Sequence, residues 1–135
     1  MNSFTYQSFM VDALSGRIDL FTNKVGVLLV TSDYRPDVAM HMRRGDIHGE
    51  VVGAGYEFGG KVCKLGISVA SRLITIQLPK LTWDPSTITA CGAVAYQARG
   101  GVSSEDELIA YVNLGNQIST AGAFVLSLSP MIIQF

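Results

Sequence analysis

Between Val62 and Leu128 apolar side chains recur at every second position in several separate runs, and any fold of this chain has to satisfy that period first. Successive side chains of a strand point to opposite faces, so a period of two marks strands with one face turned inward. Val62 to Ala70 sets Leu65, Ile67 and Val69 against Lys64, Gly66 and Ser68. Arg72 to Leu78 sets Ile74, Ile76 and Leu78 against Thr75 and Gln77, and Pro79 ends the run, because proline cannot donate to a ladder. Trp83 stands before Asp84-Pro85-Ser86, which reads as a turn, and it is expected to plug one end of the fold. Thr87 to Gln97 sets Ile88, Ala90, Val94 and Tyr96 against Thr87, Thr89 and Gln97. Leu108 to Leu114 is a further strand, Gly115-Asn116 a turn, and Phe124, Leu126 and Leu128 alternate with serines until Pro130. A short apolar tail, Met131-Ile132-Ile133, follows.

The first half is less regular. Ser3 to Ser15 reads as a helix with Ser3 as its N-cap, Gly16 at its end, and a stripe of Tyr6, Phe9, Met10, Ala13 and Leu14. Lys24 to Thr31 is almost continuously apolar, the pattern of a central strand covered on both faces. Asp37 to Arg44 predicts a short helix that starts at Pro36 and stops at Gly45. Glycine takes five of the twelve positions from Gly49 to Gly60, which predicts an irregular loop. The expected fold is mainly β: an antiparallel β-sandwich of about six to eight strands with a short N-terminal helix. The 135 residues are expected to form a single domain, with 1–16 as a helical segment and 130–135 as a tail.

Charge narrows the function. Only 16% of residues are charged, against about a quarter in ordinary domains, which suggests a surface partly covered in service. The net charge is −1, so no basic field points to nucleic acid. The triplet Glu105-Asp106-Glu107 reads as a solvated loop. The start of the chain lacks a signal-peptide pattern, and no run reaches the roughly 20 apolar residues of a membrane span, so a soluble protein of the cytoplasm is expected. Cys63 and Cys91 are expected to be buried thiols.

The candidate chemistry is thin. His41, Asp46, His48 and Glu50 are the best set of metal ligands, but no pair has a tight motif spacing, and a polar loop is the expected reading. Gly60-Lys61 is followed by Val62 where a phosphate loop requires serine or threonine, and the segment feeds a strand where a dinucleotide fingerprint requires a helix. Neither Ser86 nor Cys91 has a nucleophile turn around it or a histidine joined to it in sequence. No catalytic residue, metal or cofactor is expected.

Several stretches, in order, resemble a family of small structural proteins of tailed bacteriophages. They are Ala13-Leu14-Ser15-Gly16-Arg17-Ile18-Asp19-Leu20, Lys24 to Leu29, Ser32-Asp33-Tyr34-Arg35-Pro36-Asp37, and Glu50-Val51 with Gly53, Gly55-Tyr56 and Gly59-Gly60. Trp83, Ser86-Thr87-Ile88-Thr89-Ala90 and Leu108-Ile109-Ala110-Tyr111-Val112 complete the set. The resemblance implies a virion component, and within that class a capsid decoration or cement protein that stabilises the head. Its expected partners are the major capsid protein or other virion proteins and copies of itself, as dimer or trimer. Phe4, Phe9, Met10, Trp83, Met131, Ile133 and Phe135 are the expected contact residues. A head-to-tail connector or tail component is one alternative. A host-surface or glycan-binding module using Trp83, Tyr34 and Tyr56 is another.

Overall fold

The structure, a computed structural model, describes residues 3–19 and 24–134. The chain runs β1 (Phe4–Thr5), α1 (Gln7–Leu14), β2 (Val25–Val30), β3 (Lys61–Cys63), β4 (Gly66–Ala70), β5 (Leu73–Gln77), β6 (Leu81–Gln97), β7 (Leu108–Leu126) and β8 (Met131–Gln134). The fold is mainly β, with two antiparallel sheets and one short N-terminal helix, consistent with a sandwich-like arrangement. The larger sheet has the order β1-β7-β6-β2-β3, and the smaller β4-β5-β8.

The continuous apolar run fixes the middle of the larger sheet. All six residues of β2 are buried, as its lack of alternation requires. Val25, Val27 and Leu29 enter one core with Phe9, Trp83, Ile88 and Phe124. Leu28 and Val30 enter a second core on the other face with Tyr6, Tyr34, Val94, Tyr96 and Leu108. Each such side chain contributes about 1.5–3 kcal/mol through removal from water.

The second half departs from a series of short hairpins. The sequence marks turns at Asp84-Pro85-Ser86 and at Gly115-Asn116, yet β6 and β7 run straight through both. The ladder absorbs the irregularities as register shifts between Trp83 and Ser86, Ser86 and Ile88, and Ala90 and Gly92. A bulge leaves a residue unpaired, and Pro85 falls in such a gap, where no ladder donor is needed. The buried Ser86 hydroxyl fastens the kink: it donates to the Gly122 carbonyl at 3.0 Å and pairs with the Ser119 hydroxyl at 2.8 Å. The Ser119 hydroxyl in turn accepts from the Ile88 N–H.

The same ladder continues into the small sheet. Leu81 lies opposite Leu126, and Leu73, eight residues earlier, lies opposite Gln134, eight residues later. Pro79 and Pro130 interrupt the pairing without changing its register, and Gln77 Nε2 bridges the gap by donating to the Leu78 and Leu128 carbonyls. The β4–β5–β8 sheet is therefore an arm on the end of one long ribbon.

Four further expectations are corrected. The helix begins at Gln7, because Ser3 is drawn to β7, where its hydroxyl accepts from the Asn113 N–H at 2.8 Å. Asp37 to Arg44 forms no helix: Asp37 Oδ1 takes the Ala39 and Met40 N–H groups, and a single turn closes from His41 N–H to the Asp37 carbonyl. Val62 to Ala70 is split between β3 and β4, which belong to different sheets. The acidic triplet is solvated only at Glu105: Asp106 is 2% exposed and Glu107 4%.

Candidate interaction surface

The residues expected to make contacts separate into three groups. Phe9 and Trp83 are spent on the core. Trp83 meets Phe124 edge-on at 6.0 Å, and the Lys61 ammonium lies 5.6 Å from its ring centre. Phe4 is half-buried and packs its ring 5.1 Å from Tyr6, whereas Met10 is exposed. Met131 and Ile133 are backbone members of β8 whose side chains, like the whole of Phe135, lie outside the described residues.

The polar candidates are occupied with holding loops. Tyr6, Tyr34 and His41 form a chain, OH to OH at 2.7 Å and OH to Nδ1 at 2.9 Å, and the Asp37 N–H also reaches Nδ1. Burial pushes the Tyr34 hydroxyl up to about 12. Asp46 accepts from the Met42 and Arg43 N–H groups. Partial burial works to raise its carboxyl, but those bonds and the nearby His41 and Arg43 outweigh it and hold it below the usual range. Glu50 accepts from the Tyr56 hydroxyl and from the Gly59 N–H, yet burial wins there and its carboxyl is raised. His48 is exposed. Among the described residues no three His, Cys, Asp or Glu gather closely enough to hold a metal ion.

The glycine segment is a packing device. A Cβ on Gly53 would stand 2.3 Å from the Thr87 carbonyl oxygen, and one on Gly60 1.9 Å from that of Val27. The loop lies flat on β6 and β2, and only glycine lets the backbones approach so closely. Its end, Glu57 to Gly60, is a fixed turn. The Gly60 N–H donates to the Glu57 carbonyl at 2.9 Å, the Gly59 N–H to Glu50 at 2.6 Å, and the Tyr96 hydroxyl to the Gly59 carbonyl at 2.7 Å.

Asp106 and Glu107 lock the opposite end of the ribbon. Arg44 Nε pairs with Asp106 at 2.7 Å, and Arg99 grips Glu107 through two nitrogens at 2.7 Å each. Fork-on-carboxylate geometry of this kind is the strong form of ion pair. Burial works to raise the Glu107 carboxyl, and the Arg99 fork more than reverses it. Ser86 holds a kink and has no histidine beside it, and both cysteines are free and half-buried. The histidines and the two nucleophile candidates are thus not brought together.

The feature that sequence reading passed over is the arm. None of the residues in β4, β5 or β8 is charged. Val69 is 64% exposed and Ile132 59%, while Ile67, Ile74 and Ile76 are half-buried. Both outer edges, β4 and β8, are open in the sheet order. At its base an apolar cleft of about 450 Å³ separates the arm from the larger sheet, walled by Phe9, Val25, Leu65, Ile76, Leu78 and Leu128 among others. The signal was present in sequence as strands without charge, although edges are normally protected by charge. No family model, curated protein or solved structure matches this chain.

Proposed function

We propose that this protein is a bacteriophage virion structural protein, a capsid decoration or cement subunit that binds the head in many copies and stabilises it. One observation carries the reading: a half-exposed three-stranded arm with no charged residue in its strands and two open edges, built on the end of a long ribbon. An exposed, uncharged edge invites pairing with another chain and is a liability in a protein that works alone. In an assembly it is a docking element, because an added strand satisfies the edge while alternate side chains supply specificity. Weak contacts of this kind become strong when a shell repeats them around its symmetry axes. The ordered resemblance of Ala13 to Leu20, Ser32 to Asp37 and Leu108 to Val112 to phage structural proteins supports the same class.

The glycan-binding alternative fares worse. Sugar stacking needs an open aromatic face, and Trp83 is 3% and Tyr34 6% exposed. The test is copy number. Mass spectrometry of purified particles should find the chain at shell-like stoichiometry. Fewer than about a dozen copies at one vertex would overturn decoration in favour of a connector, since closed shell symmetry requires many equivalent positions. Particles made with Val69→Lys or Ile132→Lys should lose the protein from the head while the isolated chain keeps its fold.

A further inference from the structure

Helix α1 and the segment from Val38 to Arg43 lie side by side, tied by the Gln7 N–H to the Val38 carbonyl at 2.9 Å. Together they leave Met10, Val11, Leu14, Met40 and Met42 between 50% and 83% exposed. So much apolar and methionine surface around one spot has the composition of an interface core. Between the two segments is a notch of about 160 Å³. Asp12, Arg17, Arg43 and Ser8 all line it. Asp12 is 2% exposed and meets Arg17 at 3.4 Å and Arg43 at 3.3 Å. Two guanidinium groups thus face one carboxylate. Asp46 and Glu107 also lie near Arg43, although their hydrogen bonds go to backbone N–H groups and to Arg99, and Arg17 is the more exposed guanidinium of the two. Ser8 is 8% exposed, and its hydroxyl is the one buried side-chain polar atom without a hydrogen-bond partner among the described residues. A buried donor left so is costly, and an incoming acceptor would relieve it.

The notch therefore suits a carboxylate whose neighbours are apolar or aromatic. The chain itself displays that pair. Phe58 is 80% exposed and is the only aromatic residue among the exposed large hydrophobics of the described residues, and Glu57 beside it is also exposed. The turn carrying them is held by the bonds of Gly59 and Gly60 to Glu50, Tyr96 and Glu57. The fixed turn holds Glu57 and Phe58 out together, a carboxylate beside an exposed aromatic ring.

We infer that Glu57 and Phe58 of one copy seat in the notch of a second. Glu57 lies between Arg17 and Arg43 and reaches towards Ser8. Phe58 lies on Val11, Met40 and Met42, where thioether sulfur favours an aromatic ring. The contact joins two different patches, so it closes reciprocally about a two-fold axis or repeats from copy to copy, as a ring where the rotation closes and as an open filament where it does not. It deepens the virion reading by naming a contact between copies, and rests on that reading only for the supposition that copies meet.

Sedimentation of the full chain over a concentration series should show self-association that weakens with salt. Phe58→Ala and Glu57→Lys should each weaken it at least tenfold with unchanged thermal melts, both residues being exposed. In a background with Cys63 and Cys91 replaced by alanine, a mixture of Phe58→Cys and Met42→Cys chains should form a disulfide-linked heterodimer. A chain that stays monomeric at millimolar concentration, association unchanged by both variants, or absence of the mixed disulfide would each overturn the contact. Particles that carry the Glu57→Lys chain at full copy number would also overturn it, while leaving the virion reading standing. Particles without the wild-type chain would overturn the virion reading alone, and the mixed disulfide would still decide the contact.

Discussion

The larger sheet and the arm share one ladder and differ in what lies over them. In the larger sheet β2 is buried on both faces, one core holding Val27 and Leu29, the other Leu28 and Val30. Past Pro79 and Pro130 the same antiparallel pairing continues, yet β4 has no fully buried residue and Val69 and Ile132 face solvent. Alternation of apolar residues tells which side chains share a face, but not whether anything covers that face. An apolar face without a cover is left for another molecule to fill.

Substitution can break or sharpen this contrast. The largest effect is expected where the larger sheet is tightest. Gly60→Ala places a methyl 1.9 Å from the Val27 carbonyl at a φ of +74°, and should cost more than about 4 kcal/mol in urea unfolding. Gly66→Ala in β4 has nothing closer than 3.7 Å and should be neutral or stabilise by about 0.5 kcal/mol, since glycine weakens a strand interior. Equal costs at the two sites would erase the contrast. Next, Leu28→Ala should cost about 3 kcal/mol through lost burial and a cavity, whereas Leu73→Ala, at a side chain 39% exposed, should cost under about 1 kcal/mol. Ser71, in the turn between β4 and β5, sits at a φ of 53°. Ser71→Gly relieves about 1 kcal/mol there, read as slower hydrogen exchange confined to arm amides.

The smallest effect is a matter of sign. Burial raises the Glu50 carboxyl pKa, so the folded state binds its proton more tightly than the unfolded chain does. The stability this brings is complete below the ordinary carboxylate pKa and is lost as pH rises through the raised value. Glu50→Gln does not titrate, so its stability relative to the wild type should climb between pH 4 and pH 7.5 in paired urea titrations. A flat difference would show that the carboxylate is as well solvated folded as unfolded.

Local chemistry made some features legible. The unbroken apolar run of β2 meant two covers, Pro79 meant a strand end, and Gly16 at a φ of 82° ends the helix. What sequence could not show depended on distant partners. Asp84-Pro85 and Gly115-Asn116 are turn signals in isolation, but 17- and 19-residue strands pair across them and spend the irregularity in bulges. Glu105 to Glu107 resembles a solvated run, and Glu105 is exposed, but Arg44 and Arg99 arrive from elsewhere and bury Asp106 and Glu107. Asp37 could start a helix, but its carboxylate and backbone close one turn and stop. Phe9 is a fair anchor by residue type, and only the packing of α1 shows that the core uses it, whereas Trp83, expected to plug one end of the fold, is buried in the core. The notch at Arg17 and Arg43 had no sequence signal, because its residues come from two segments joined by a backbone bond.

The unchanged register across Pro79 and Pro130 constrains how such a chain can vary by descent. Side chains alternate between faces, so a one-residue insertion or deletion on one strand between Gln77 and Leu81 would turn the arm's next residues over relative to those opposite. A matching change between Leu126 and Met131 would restore them. Length changes in this stretch are thus inherited safely only in pairs, and lineages that lengthen or shorten the arm should show both strands altered together.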